Sequence, residues 1–267
     1  MDQKTSRLRD YVGLAYAGLC YLAFLSSFTY FVLFAVGLFV PKTVNDGAEL
    51  PTLQALTIDT GLLLLFGVSH SLMARPAFKA RWMRRVPAVA ERSTYVLVAS
   101  TCLAALTLAW VPLPGELWRT DDPFALVLLW SVCAGGWLLL LVSTFLIDHF
   151  ELFGLKQGWM RVRRVEPAEI AFRTPALYRL VRHPMMLGFL LGFWATPHMS
   201  LSQFVLATGM TLYILVGISF EERDLVRRFG ERYLRYQRSV PKLIPGLPGR
   251  REQSDGAARG ELEASEP

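Results

Sequence analysis

Residues 185–220 read MMLGFLLGFWATPHMSLSQFVLATGMTLYILVGISF, a run of 36 positions without Asp, Glu, Lys or Arg. As one α-helix this run would extend ~54 Å, far beyond a ~30 Å hydrocarbon core. Pro197-His198 lies near its middle. A reversal there predicts a helical hairpin, one arm from about Pro175 to Ala195 and the other from about Ser200 to Phe220. Pro184 is expected to kink the first arm and free backbone groups near His183. Gly188 and Gly192 form a small-xxx-small pair that would let the two arms approach closely. Both ends of such a hairpin return to one side of the bilayer, so Arg182-His183 and Glu221-Glu222 arrive at similar depth. Ionisable side chains are costly in or beside lipid, which makes this clustering a functional-site hypothesis.

The chain around the hairpin reads as membrane scaffold. Of 267 residues, 53% are hydrophobic and 19% charged, against about 45–50% and about 25% in a typical soluble domain. The expected fold class is an all-α integral membrane protein with about five to six transmembrane helices, including the C-terminal hairpin, plus a cytosolic amphipathic helix. Tyr11 to Val40 is uncharged over 30 residues, more than the ~20 that cross a bilayer and too long for the core of a cleaved signal. A retained first span is expected there, followed by spans at Thr52–Met73, Ser93–Val111 and Pro123–Ile147. In the last of these, Ala134, Gly135 and Gly136 suit close helix packing.

Lys4, Arg7 and Arg9 precede the first span, and Arg75, Lys79, Arg81, Arg84, Arg85 and Arg92 crowd the loop after the second. The loops at 41–51 and 112–123 carry more acid than base. The positive-inside rule therefore puts the N-terminus and the hairpin ends in the cytoplasm, and the excess of Arg over Lys is compatible with a GC-rich bacterial genome. After Glu222, Leu225, Phe229, Tyr233 and Tyr236 recur at helical spacing, as in an amphipathic surface helix. Residues 1–248 are expected to form one membrane domain, with 175–245 its cofactor-binding part. From Gly249 to Pro267 the composition is that of a disordered tail.

The net charge of +6 sits on loops that flank spans, and no nucleic-acid motif accompanies it, so no nucleic-acid partner is expected. Cys20, Cys102 and Cys133 fall inside spans without CxxC spacing and read as buried thiols. The four His residues show no ligand spacing, so no metal site is expected. GxGxxG after a strand, the P-loop, GxSxG and HExxH are all missing. Asp59 and His70, eleven residues apart, lie ~16 Å apart along a helix. Either each is satisfied by a neighbouring helix, or His70 lines the site. Asp148, His149 and Glu151 cluster at the cytoplasmic mouth of the fourth span, as a polar helix end or as part of the site.

There remains a pocket with Tyr178, Arg182, His183, Glu221, Glu222, Tyr233 and Tyr236. Arg offers a bidentate grip on a carboxylate or phosphate, and Glu accepts from hydroxyls or an ammonium. A zwitterionic cofactor with a carboxylate, an amine and a ribose suits that set. Residue types alone do not choose among cofactors, and Arg–Glu pairs that merely hold the hairpin together are equally compatible.

These residues carry a resemblance. Tyr178, Arg182-His183-Pro184, Gly188, Glu221-Glu222, Phe229-Gly230, Tyr233, Tyr236 and Val240-Pro241 match the spaced C-terminal pattern of the isoprenylcysteine carboxyl methyltransferase-like superfamily over about 70 residues. Met186 stands where many members have Tyr, a departure that bears on the carboxyl-methylating substrate class and not on the cofactor. The segments at 70–75, 148–157 and 186–197 resemble the nurim-like branch, whose bacterial members similar to this chain methylate methanethiol to dimethyl sulfide. The resemblance implies S-adenosylmethionine as cofactor and a small-molecule thiol as substrate, with a lipid or larger thiol, or a non-catalytic nurim-like protein, as alternatives. It implies that Tyr178 and Arg182 hold the methionyl end and that Glu221 and Glu222 hold the amine or ribose. His183, Tyr233 and Tyr236 complete the cofactor site, and His183, His149 and Asp148 are the candidate catalytic residues, with His149 or Asp148 facing the thiol.

Overall fold

The structure, a computed structural model, describes residues 3–82, 84–166 and 172–246. The tail expected from Gly249 onward lies outside the described residues. In chain order the elements are α1 (Gln3–Val36), α2 (Thr52–Met73), α3 (Pro76–Trp82), α4 (Ala88–Ala109), β1 (Glu116–Arg119), α5 (Pro123–Ile147), α6 (His149–Leu152) and α7 (Leu155–Arg163). A 3-10 turn (Ala176–Arg179), α8 (Pro184–Trp194), β2 (His198–Ser200), α9 (Leu201–Phe229) and α10 (Glu231–Ser239) follow. Five of the helices, α1, α2, α4, α5 and α9, are long and apolar enough to cross a membrane. The protein is thus an all-α multi-pass membrane protein, apart from the short antiparallel ladder in which Glu116, Trp118 and Arg119 pair with Ser200, Met199 and His198.

Local chemistry fixes the element ends. Pro123 takes the first helical position of α5, where its missing N–H costs nothing, and the Asp122 side chain accepts from Ala125 N at 2.8 Å. Ser200 caps α9 in the same way, accepting from Gln203 N at 3.0 Å. Gly37, with φ 78, ends α1 in the left-handed region that glycine tolerates.

The hairpin differs from the sequence expectation in three respects. Its first arm is not one helix from Pro175 to Ala195. Only the 11 residues of α8 are α-helical, ~16 Å of rise, and the chain then runs through 195–197 into β2, which pairs with β1. Pro184 does not kink a helix; it begins one, with His183 as N-cap and Leu187 N bonded to the His183 carbonyl at 3.0 Å. A proline ring is preorganised for that position as readily as it disrupts an interior one, so either outcome fits the residue. The second arm does not stop at Phe220: α9 runs on to Phe229, and Gly230, with φ 55, makes the break before α10.

Gly188 and Gly192 face α5, not α9. A Cβ on Gly188 would stand 2.6 Å from the Gly136 carbonyl oxygen and 2.7 Å from Leu140 N, and one on Gly192 would meet the Trp137 ring at 2.6 Å. Helices in lipid associate through such van der Waals approach, because the surrounding tails are as apolar as leucine. On its other side α8 joins a core shared with α1, α2, α4 and α9, built from Phe31, Phe34, Phe66, Leu106, Phe193, Leu206 and Ile218. Asp59, fully buried in α2, accepts from Val111 N at 2.9 Å.

Candidate functional site

Arg182 and His183 lie in the short connection between the 3-10 turn and α8, and Glu222 lies on α9 two residues past the uncharged run. The hairpin brings them together. Arg182 Nε donates to Glu222 Oε1 at 2.8 Å, and His183 Nε2 lies 3.1 Å from the same oxygen. Lys242 Nζ approaches Glu222 Oε2 at 3.7 Å. The side chains of Arg182 and Glu222 are 7% and 11% exposed, whereas that of Glu221 is 49% exposed and touches the cluster through His183 Nδ1 at 3.7 Å. The twin acids are therefore not equivalent. Glu222 is engaged from three sides, and Glu221 keeps a free face.

Arg182 also fastens the segment after α10. Its Nη1 donates to the carbonyls of Gln237 at 2.8 Å and Val240 at 2.6 Å. Its main-chain N–H donates to the Pro241 carbonyl at 2.8 Å, and that of His183 to the Lys242 carbonyl at 3.1 Å. The Tyr236 hydroxyl donates to the Tyr178 carbonyl. Phe172 packs edge-on against Tyr233 and Tyr236, with ring centroids at 5.8 and 5.4 Å. Helix α10 thus lies back over the start of α8.

Burial raises the Tyr178 hydroxyl, and Glu221 and Tyr236 add to the rise. Tyr233 is raised by burial and then by Glu222 and Glu221, and Tyr236 is raised to about 12, chiefly by burial. All three phenols stay protonated at neutral pH and remain donors. Beside Glu222, a groove of about 510 Å³ is lined by Ser219, Arg223, Val226, Arg227, Gln237 and Lys242.

Asp148 and His149 are arranged differently. His149 is buried, with Nε2 2.9 Å from the Tyr21 hydroxyl and Nδ1 2.8 Å from Thr144 Oγ1. Its ring stacks on Phe145, and burial lowers its pKa. Asp148 is engaged by Lys156 and by Glu151 N. Burial raises it, but those bonds outweigh the burial and leave it below the usual carboxylate range. Among the described residues no hydrogen bond or ion pair joins either residue to the Arg182–Glu222 cluster.

Two parts of this end of the bundle were not singled out from sequence. Lys242 lies just past Val240-Pro241, where a lone cation gives no sign that it returns to Glu222. Tyr95 bonds His70, its hydroxyl 2.6 Å from Nε2, and no spacing rule links a tyrosine of α4 to a histidine of α2.

The NnrU protein family matches residues 60–245. Methanethiol S-methyltransferase 2 of Bradyrhizobium diazoefficiens is 46% identical over 242 residues, 91% of this chain and 93% of the relative. A methanethiol S-methyltransferase of Mycobacterium tuberculosis is 44% identical over 238 residues, 89% of this chain and 98% of the relative. Nurim of Sus scrofa is 34% identical over 198 residues, 69% of this chain and 71% of its own length. No solved structure matches the chain.

Proposed function

This chain belongs to the NnrU protein family, and on that premise we propose that it methylates methanethiol to dimethyl sulfide, with S-adenosylmethionine as the methyl donor. The observation that carries the reading is the likeness to methanethiol S-methyltransferases along about nine tenths of the chain. The cluster at the end of the hairpin supports the donor half of it.

The donor carries an ammonium, a carboxylate and ribose hydroxyls, and the residues present fit that combination. Glu221, with its free face, accepts from an ammonium or hydroxyls, and the protonated phenols of Tyr178 and Tyr233 donate. Lys242 and Arg223 at the groove offer cations to a carboxylate. Arg182, whose Nε and Nη1 are already engaged, positions Glu222 and the segment of α10, and has Nη2 for the donor. His183 orients Glu221 and Glu222. Tyr236, bonded to the Tyr178 carbonyl, acts by holding α10 in place. When bound, S-adenosylmethionine supplies an electrophilic methyl on a sulfonium.

The thiol reacts as thiolate. Its charge is lost together with that of the sulfonium, so a water-poor apolar setting favours the transfer. Asp148 and His149 are left out of proton transfer here, because both ring nitrogens of His149 and the carboxylate of Asp148 already have partners. The Arg- and Lys-rich loop at 75–92 supports a cytoplasmic face for this end, and the bacterial relatives support an inner-membrane location. Residues 1–248 then make up one methyltransferase domain, with the donor held by 175–245.

The test is calorimetric titration of the purified protein with S-adenosylmethionine, followed by headspace analysis for dimethyl sulfide after methanethiol is added. Binding and product together are expected. A non-catalytic protein is the rival reading, and it gains if no binding occurs at millimolar donor. Product from a larger thiol or a lipid, with none from methanethiol, moves the substrate class and leaves the donor site standing.

A further inference from the structure

Each of the four histidines can be asked whether its ring retains an unused nitrogen. His149 is engaged at both nitrogens by Tyr21 and Thr144. His183 faces Glu221 and Glu222, and His198 pairs with Glu116 at 2.7 Å at the opposite end of the bundle. His70 differs. Its Nε2 lies 2.6 Å from the Tyr95 hydroxyl, while Nδ1 is buried without a hydrogen-bond partner among the described residues.

The rings of Phe66 and Tyr213 flank the imidazole, with centroids at 5.4 and 5.9 Å. A buried nitrogen left unpaired costs about 1–3 kcal/mol, and a ligand or a catalytic role is one explanation for such an orphan. His70 is also close to the donor side of the bundle. Arg75, just past the end of α2, stacks on Phe220 at 3.7 Å and pairs with Asp224 at 3.7 Å, residues that flank Glu221-Glu222 in the sequence of α9.

We infer that His70 Nδ1 is the base that takes the proton of the thiol, with Tyr95 as the positioning residue that holds the ring; the inference deepens the methyl-transfer reading and rests on it. With Nε2–H donating to the Tyr95 oxygen, one of the two directions the 2.6 Å contact allows, the Nδ1 lone pair is bare. The S–H bond breaks, its electron pair stays on sulfur as thiolate, and the proton bonds to Nδ1 to give imidazolium. The thiolate forms its new C–S bond to the methyl as the donor's sulfonium C–S bond breaks and returns its electron pair to the donor sulfur. The imidazolium then releases its proton, one per methyl transferred. The titratable groups nearest the ring are Tyr95 on α4 and Tyr213 on α9, with the Arg92 guanidinium 5.8 Å from the Tyr95 ring centroid.

The experiment compares wild type, His70→Ala, His70→Gln and Tyr95→Phe in detergent, with melting temperature as the check on folding. S-adenosylmethionine affinity is expected to stay within about threefold of wild type, since the ring serves the thiol. For methanethiol near neutral pH, kcat/KM of His70→Ala is expected to fall by about 10²-fold or more. The deficit should shrink as pH rises from about 7 to about 9, and should be much smaller for 2,2,2-trifluoroethanethiol, a small thiol that ionises more readily. Tyr95→Phe should lose part of the rate with the same pH signature. If His70→Ala does not fold, His70→Gln is read in its place. Wild-type kcat/KM in the folded variant, or a deficit equal at every pH and for both thiols, overturns the assignment. A wild-type protein that neither binds the donor nor methylates a thiol overturns the methyl-transfer reading, and this one with it.

Discussion

Replacing Arg182 by Ala removes the donor that joins Glu222 to the Gln237 and Val240 carbonyls. Both partners of the ion pair are nearly shielded from water, at 7% and 11% exposure, so solvent screening reduces the effect little. Breaking a buried pair from one side costs about 3–5 kcal/mol, because the surviving charge stays buried. His183 and Lys242 remain beside Glu222, which favours the lower end of that range. If docking of α10 and donor binding are fully coupled, the same energy amounts to about two to three decades in Kd. We expect S-adenosylmethionine affinity to fall by more than about tenfold and amide exchange in residues 231–246 to accelerate. Arg182→Lys, which keeps the charge without the fork, should fall between. The assay is calorimetric titration paired with hydrogen exchange on the same membrane preparation. Wild-type protection across 231–246 together with wild-type affinity in Arg182→Ala would refute the reasoning.

Glu221→Gln should weaken donor binding by about tenfold and leave the melting temperature nearly unchanged, whereas Glu222→Gln should lower both; the reverse order would show that the exposed acid is the structural one. Gly188→Ala forces a Cβ to within 2.6 Å of the Gly136 carbonyl oxygen and should destabilise the α5–α8 packing by about 1–3 kcal/mol, which a thermal melt reads directly and an unchanged melt contradicts. His149 has a folded pKa below its ordinary 6.5 because burial disfavours the cation. The unfolded chain therefore takes up the proton first, so stability is present above about 6.5 and declines as pH falls below it. Asp148, also depressed in the fold, adds a loss in the same direction at lower pH. In His149→Gln the fall in melting temperature between about pH 7 and about pH 5 should be shallower than in wild type, and an identical slope would count against a neutral buried ring.

What the residues disclosed in advance follows from the kind of signal they carry. Thr52–Met73 and Pro123–Ile147 match α2 and α5 end for end, because each is an apolar run opened beside a proline, and desolvation leaves such a run no alternative to a helix. The meeting of Arg182 with Glu222 followed from parity alone, since a hairpin returns to the side it left. Partner identity was not legible. The Gly188/Gly192 spacing says that some backbone comes close but not which one, and it proved to be that of α5. Pro184 permits a kink or a start, and only the packing of α8 decided. Lys242 and the Tyr95 hydroxyl reach their partners across long sequence separation, where no local period exists to report them.

Glu222 is sealed by residues 182, 183 and 242, one of which follows it by a full helix and turn. All five long helices precede Val240 and Lys242 in the chain, so the groups that close over the carboxylate are the last to be made. The long helices can therefore be complete in a chain whose site is not. A chain that ends before Tyr236 should accumulate as correctly threaded, inert protein.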